Sequence, residues 1–144
     1  MNVHSLVPAT LLVAVALASV ACGKAAGGGA ADPADGPATI VVPANLAEQV
    51  AAGDAKKGEE LFASKGCKAC HNLDATKLVG PGLAGINQRR SLPWLARMIL
   101  KPEEMVKSDP EAKKMLAAYM TAMANQNVAV DTELPHILAY LKTK

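Results

Sequence analysis

The apolar and polar positions divide the chain into three stretches of different character. Leu11 to Ala21 is a run of Leu, Val and Ala interrupted only by Ser19. It falls short of the ~20 residues a membrane-spanning helix needs, and it has the length of a signal-peptide core. From Gly23 to about Pro43 the chain is mostly Gly, Ala, Pro and Asp, with no hydrophobic period before Ile40. Such a segment cannot bury enough apolar surface to offset its ordering entropy, so a flexible tether is expected, with a mean span of roughly 25 Å.

Helical periodicity begins after the tether. Asp54 stands where a cap belongs, before a helix running to about Lys65 with Gly58, Leu61 and Phe62 inside it. Gly80-Pro81-Gly82 and Gly85 then make the next forty residues mostly loop. Ser91 caps a second helix with Pro93 in its first turn and Leu92, Leu95, Ala96 and Ile99 as its stripe; Pro102 ends it. Asp109-Pro110 opens a third, carrying Ala112, Leu116, Tyr119, Met120 and Met123 on one face until Asn125-Gln126-Asn127 breaks it. A last helix starts at Asp131 or Thr132, with Leu134, Ile137, Leu138 and Leu141 spaced i, i+3, i+4, i+7. No stretch alternates as a strand. The expected organisation is a signal peptide over 1–21, a tether over 22–45, and one all-α domain of about four helices over 46–144.

Composition sharpens this picture in one respect. Aromatic residues are only 3% of the chain (Phe62, Trp94, Tyr119 and Tyr140). That is little bulk for a helical core, and a large apolar cofactor would supply the missing volume. The net charge of +2 is not gathered into a basic face, so a nucleic-acid partner is not expected. Lys65, Lys68 and Lys77 surround a cysteine motif, where they either steer an acidic partner or form an ordinary solvated face.

That motif is Cys67-Lys68-Ala69-Cys70-His71, the C-x-x-C-H pattern of covalent haem attachment. Two thiols one turn apart can add across two vinyl groups on neighbouring pyrroles, and the adjacent histidine then faces the iron. A zinc site needs four suitably spaced ligands, and beyond these three only Cys22, His4 and His136 remain. A thioredoxin-like pair expects a βαβ setting. A plain disulfide leaves His71 and the small core unexplained. The third cysteine, Cys22, directly follows the apolar run, as the lipidated cysteine of bacterial lipoproteins does, although Ser19 stands where those proteins usually have Leu. Ordinary cleavage after Ser19-Val20-Ala21 is the competing reading.

With Gly53-Asp54-Ala55-x-x-Gly58, Phe62, C-x-x-C-H, Gly80-Pro81-Gly82-Leu83 and Leu138-Ala139-Tyr140-Leu141 in this order, the stretch from Asp54 to Leu141 resembles a class I monohaem cytochrome c. The resemblance implies one covalent haem c wrapped by helices, with the first and last helices crossing at Gly58. It implies that the Pro81 carbonyl holds the outer nitrogen of His71. It implies that Arg90 or Trp94 hydrogen-bonds a haem propionate, though Trp94 serves equally as plain packing. The sixth iron ligand would be a methionine on a loop before the last helix, which selects Met123, with Ala124 where the family often has proline. Met120, one turn earlier, is the alternative. Met98 and Met105 come too early, and Met115 lies off its helix's apolar stripe.

Iron held by protein on both sides leaves one-electron transfer as its task, without enzymatic turnover or a small-molecule substrate. The chain is therefore expected to carry or donate electrons to redox protein partners outside the cytoplasm, in the periplasm, anchored through Cys22 at the outer face of the bacterial cytoplasmic membrane. A terminal reductase or oxidase is the expected acceptor. A haem peroxidase or gas sensor with an open sixth position is the alternative; only His136 is available as a distal acid–base group.

Overall fold

The computed structural model describes Met1 and residues 35–144; the leader, Cys22 and the tether up to residue 34 lie outside the described residues. Among the described residues seven α-helices follow in order: α1 (Leu46–Ala51), α2 (Ala55–Ser64), α3 (Ile86–Arg89), α4 (Leu92–Leu100), α5 (Pro102–Ser108), α6 (Pro110–Tyr119) and α7 (Leu134–Leu141). A 3₁₀ turn at Cys67–Ala69 follows α2. There is no strand among the described residues, and no helix among them is long and apolar enough to cross a membrane.

The three expected caps are in place because each satisfies amide groups that a helix start leaves without partners. Asp54 accepts from Lys56 and Lys57 N–H, and those bonds hold its carboxyl below the usual aspartate range. Ser91 Oγ accepts from Trp94 N–H at 3.3 Å. Asp109 Oδ1 accepts from Ala112 N–H at 2.7 Å.

The framework is the crossing of α2 and α7. Leu134, Ile137, Leu138 and Leu141 are almost completely buried, each contributing about 1.5–3 kcal/mol of apolar transfer. Gly58 lets the two backbones touch: a Cβ built there would lie 2.0 Å from the His136 carbonyl oxygen and 2.8 Å from Tyr140 Cβ. One turn further along α2, Phe62 meets Tyr140 with ring centroids 5.8 Å apart. His136 belongs to the same joint, its Nδ1 accepting the Asp54 N–H at 2.9 Å.

Four expectations need correction. The folded part begins before residue 46. Arg97, itself buried, donates to the carbonyls of Ile40 (2.8 Å) and Asp35, and Ile40 is 3% exposed. Residues 35–45 therefore form a strap on α4 and are not tether. Next, α1 was not expected; only Leu46 and Val50 anchor it, and Asn45 gives it no side-chain cap. Pro102 ends α4 but also opens α5, since proline costs nothing at a first helical position. Finally, α6 stops at Tyr119. Met120 turns left-handed (φ 54°) and donates its N–H to the Leu116 carbonyl, so Met120 and Met123 do not share a helical face.

Candidate functional site

Just beyond α2, Gly66 adopts φ 76° and swings the chain into the short turn that carries both cysteines. Cys70 N–H and His71 N–H both donate to the Cys67 carbonyl, at 3.2 and 3.0 Å. This single turn sets Cys67, Cys70 and His71 on one wall of a common cavity. Both cysteines are half-buried and line that cavity.

The following loop folds back over the histidine. Gly80 N–H donates to the Cys70 carbonyl at 2.8 Å, and Leu83 N–H to that of Asn72 at 2.9 Å. His71 Nδ1 lies 2.9 Å from the Pro81 carbonyl oxygen. A carbonyl only accepts, so Nδ1 carries the ring proton and Nε2 keeps its lone pair. Gly80 lies flat against the ring, where a Cβ would come within 2.6 Å of Cε1. The imidazole is thus held on two sides by its own loop.

The cavity has a volume of about 330 Å³. Its walls are Phe62 from α2, Leu95, Met98 and Ile99 from α4, Met115, Leu116 and Tyr119 from α6, and Ile137 and Leu141 from α7. No carboxylate, lysine or arginine lines it among the described residues. A large flat apolar group with two thiol attachment points and one nitrogen donor fits these walls.

Three methionines reach this cavity: Met98, Met115 and Met123. Met123 is half-buried on the loop after α6, whereas Met120 is 83% exposed and stands outside the lining. Met98, set aside as too early in the chain, and Met115, set aside as off its helix's stripe, both line the cavity because α4 and α6 pack around it from positions their sequence spacing does not show. Met105 is fully buried elsewhere, against Gly36 and Trp94.

The two candidate propionate donors separate. Trp94 lines the cavity, but its indole N–H donates to Asp109 Oδ1 at 3.2 Å, so the ring is a wall and its donor is committed. Arg90 lies outside the apolar cavity, stacked 5.1 Å over Trp94 and 3.3 Å from Glu111. Its Nε is buried without a partner among the described residues, in a polar cavity that borders the first at Trp94. An anionic group at that border fits this orphaned donor. His136 does not line the apolar cavity. Of the lysines near the cysteine turn, Lys65 pairs with Glu133, Lys77 lies 4.6 Å over the Tyr119 ring, and Lys68 is exposed.

The cytochrome c family model matches residues 55–144. The chain belongs to the cytochrome c family. As in that family, the cofactor of this cytochrome is one covalently bound haem c, and its all-helical architecture is the class I fold. The c-type cytochrome cyt cy of Rhodobacter capsulatus is 59% identical to this cytochrome over 34 residues, 24% of this chain and 17% of that protein. A cytochrome c-553-like protein of a Synechocystis strain is 31% identical over 65 residues, 44% of this chain and 61% of that protein. This cytochrome thus spans less than two thirds of either curated relative. The solved cytochrome c of Rhodothermus marinus superposes with a TM-score of 0.61 at 28% identity, covering 78% of this chain and 96% of that one. The strap and α1 lie outside the family match, which starts at residue 55.

Proposed function

We propose that this cytochrome is a one-electron carrier, a donor to a redox protein outside the cytoplasm. When bound, the haem iron supplies a reversible one-electron couple. Cys67 and Cys70 would hold the macrocycle through thioethers, and His71 would offer its Nε2 to the iron, its tautomer set by the Pro81 carbonyl. Met123 would supply the second protein ligand, a soft thioether that would raise the potential relative to a second nitrogen donor. Arg90 Nε serves a propionate, and Trp94 serves as wall. The observation that carries this reading is the wall of Cys67, Cys70 and His71 facing a cavity whose lining, among the described residues, has no carboxylate, lysine or arginine. A peroxidase needs such an acid–base group beside the iron, and His136 is engaged with Asp54 instead.

The domain is proposed to work at the outer face of the cytoplasmic membrane, lipidated at Cys22 and serving a terminal reductase or oxidase. What supports the anchor is the apolar run ending directly at that cysteine. Mass spectrometry of the membrane-extracted protein should find an acylated N-terminus at Cys22. An unmodified terminus elsewhere on a freely soluble protein refutes the anchor.

Met123→Ala tests the ligand. The haem should stay attached, since attachment rests on the cysteines. The sulfur-to-iron absorption band of the oxidised protein should vanish, the potential should fall, and the reduced iron should bind carbon monoxide. Met115→Ala and Met98→Ala should keep the band. Loss of the band in either of those, with Met123→Ala unchanged, would reassign the ligand to a helix.

A further inference from the structure

Between Tyr119 and Leu134 the chain forms no helix, yet this stretch carries Met123. An extended loop beside a cavity has many alternative paths, so something must select one. Hydrophobic packing contributes little here, because Val128 is the one fully buried apolar side chain in the loop and Met123 is only half-buried. Polar pins hold it instead. Asn125 Nδ2 donates to the Leu100 carbonyl at the end of α4, at 3.1 Å. Beyond it, Asn127 takes φ 51° and turns its carbonyl toward Lys65, whose Nζ donates to it at 3.2 Å. The same ammonium lies 2.6 Å from Glu133 Oε2, and that oxygen accepts the Ala129 N–H at 2.8 Å.

Lys65 is the residue just past α2, two before Cys67. One charged group at the root of the cysteine turn thus grips the loop through a carbonyl and a carboxylate together. The Lys65 and Glu133 side chains are only 24% and 22% exposed, so this pair is less screened than a fully exposed one, which typically contributes little. Both partners also make a second, charge-assisted bond to loop backbone, which gives the pair directional control over the chain path.

We infer that Lys65 and Glu133 form a clamp that seats the Met123 loop against the cavity, making Lys65 a positioning residue for the sixth ligand. The inference rests on Met123 being that ligand. Lys65 caps the end of α2 and Glu133 precedes the first turn of α7, so the pair also ties these two helix ends together; what marks a clamp on the loop is an effect at the iron beyond any change in stability.

The test uses the full-length haem-loaded protein with Lys65→Met, which keeps the apolar stem and removes the charge, beside Lys65→Arg, Glu133→Gln and Met123→Ala. Losing charge-assisted bonds should shift the loop's closing equilibrium by about tenfold. Lys65→Met should therefore bind carbon monoxide about tenfold faster than the parent, weaken the sulfur-to-iron band and lower the potential. Lys65→Arg should restore all three, and Glu133→Gln should move them part of the way. If Lys65→Met lowers only the melting temperature, with carbon monoxide binding and potential at parental values, the pair is an ordinary salt bridge and the clamp is refuted. The same holds if Lys65→Met fails to fold and Glu133→Gln leaves both iron readouts unchanged. If Met123→Ala itself leaves the band intact, the ligand assignment has failed and the clamp falls with it, a result separable from the others because it needs no Lys65 variant.

Discussion

Replacing Cys67 and Cys70 together with alanine is expected to abolish covalent haem and, with it, most of the folded helical structure. The size of the effect follows from the cavity. A sealed core cavity costs about 24 cal/mol per Å³, so the 330 Å³ between α2, α4, α6 and α7, which opens partly to solvent, has an upper bound on the order of 8 kcal/mol. That is comparable to the whole stability of a domain, about 5–15 kcal/mol. Phe62, Trp94 and Tyr119 already form part of the cavity's walls, and Trp94 is held by its bond to Asp109 and Phe62 by its contact with Tyr140. The parent should retain one haem per chain through acid–acetone extraction, by pyridine haemochrome assay, in a host that matures c-type cytochromes. The double variant should retain none, and its far-UV circular dichroism should show a large loss of helix. A double variant that is fully helical without haem would show that the cavity closes by itself, and two haems in the parent would contradict the single attachment motif.

The second large effect is expected from Gly58→Ala. In an ordinary helix interior this change stabilises by up to about 1 kcal/mol. Here the sign should reverse, because the added Cβ would sit 2.0 Å from the His136 carbonyl oxygen and 2.6 Å from its carbon. These are backbone atoms that cannot rotate away. Helices α2 and α7 would have to separate, drawing Phe62 off Tyr140 and loosening the His136 bond to the Asp54 amide. Forced overpacking costs typically 1–3 kcal/mol and sometimes more; about 3 kcal/mol is expected, lowering the melting temperature by roughly 10–20 °C. The measurement is a thermal melt of the haem-loaded protein. An unchanged or higher melting temperature would mean that the two helices do not cross at Gly58.

Much of this molecule was legible because it is written locally. A cap acts on amides two or three residues away, so Asp54, Ser91 and Asp109 announced their helices correctly. The attachment motif is equally local, since one turn of chain carries both thiols and the imidazole. The period of Leu134, Ile137, Leu138 and Leu141 stated which face of α7 would be buried, and all four are. Gly58 was readable through resemblance rather than period, for a glycine inside a helix looks like a weak point until its neighbour across the crossing is known.

By itself, then, the sequence determined an all-helical chain with one C-x-x-C-H turn, its caps and its buried stripes, because each depends on residues within a turn or two of one another. Only the tertiary structure decided the rest, through contacts between residues far apart in the chain. Arg97 reaches back to the Asp35 and Ile40 carbonyls and turns a segment of tether composition into part of the fold. Asp109 takes the Trp94 N–H, while Arg90 Nε is buried with no partner among the described residues. One left-handed residue, Met120, ends α6 a turn early, pointing its own side chain to solvent while Met123 lines the cavity. Periodicity had set these two methionines on one face because it assumes the helix continues, and where a helix stops beside a cavity is settled by what packs and bonds across it.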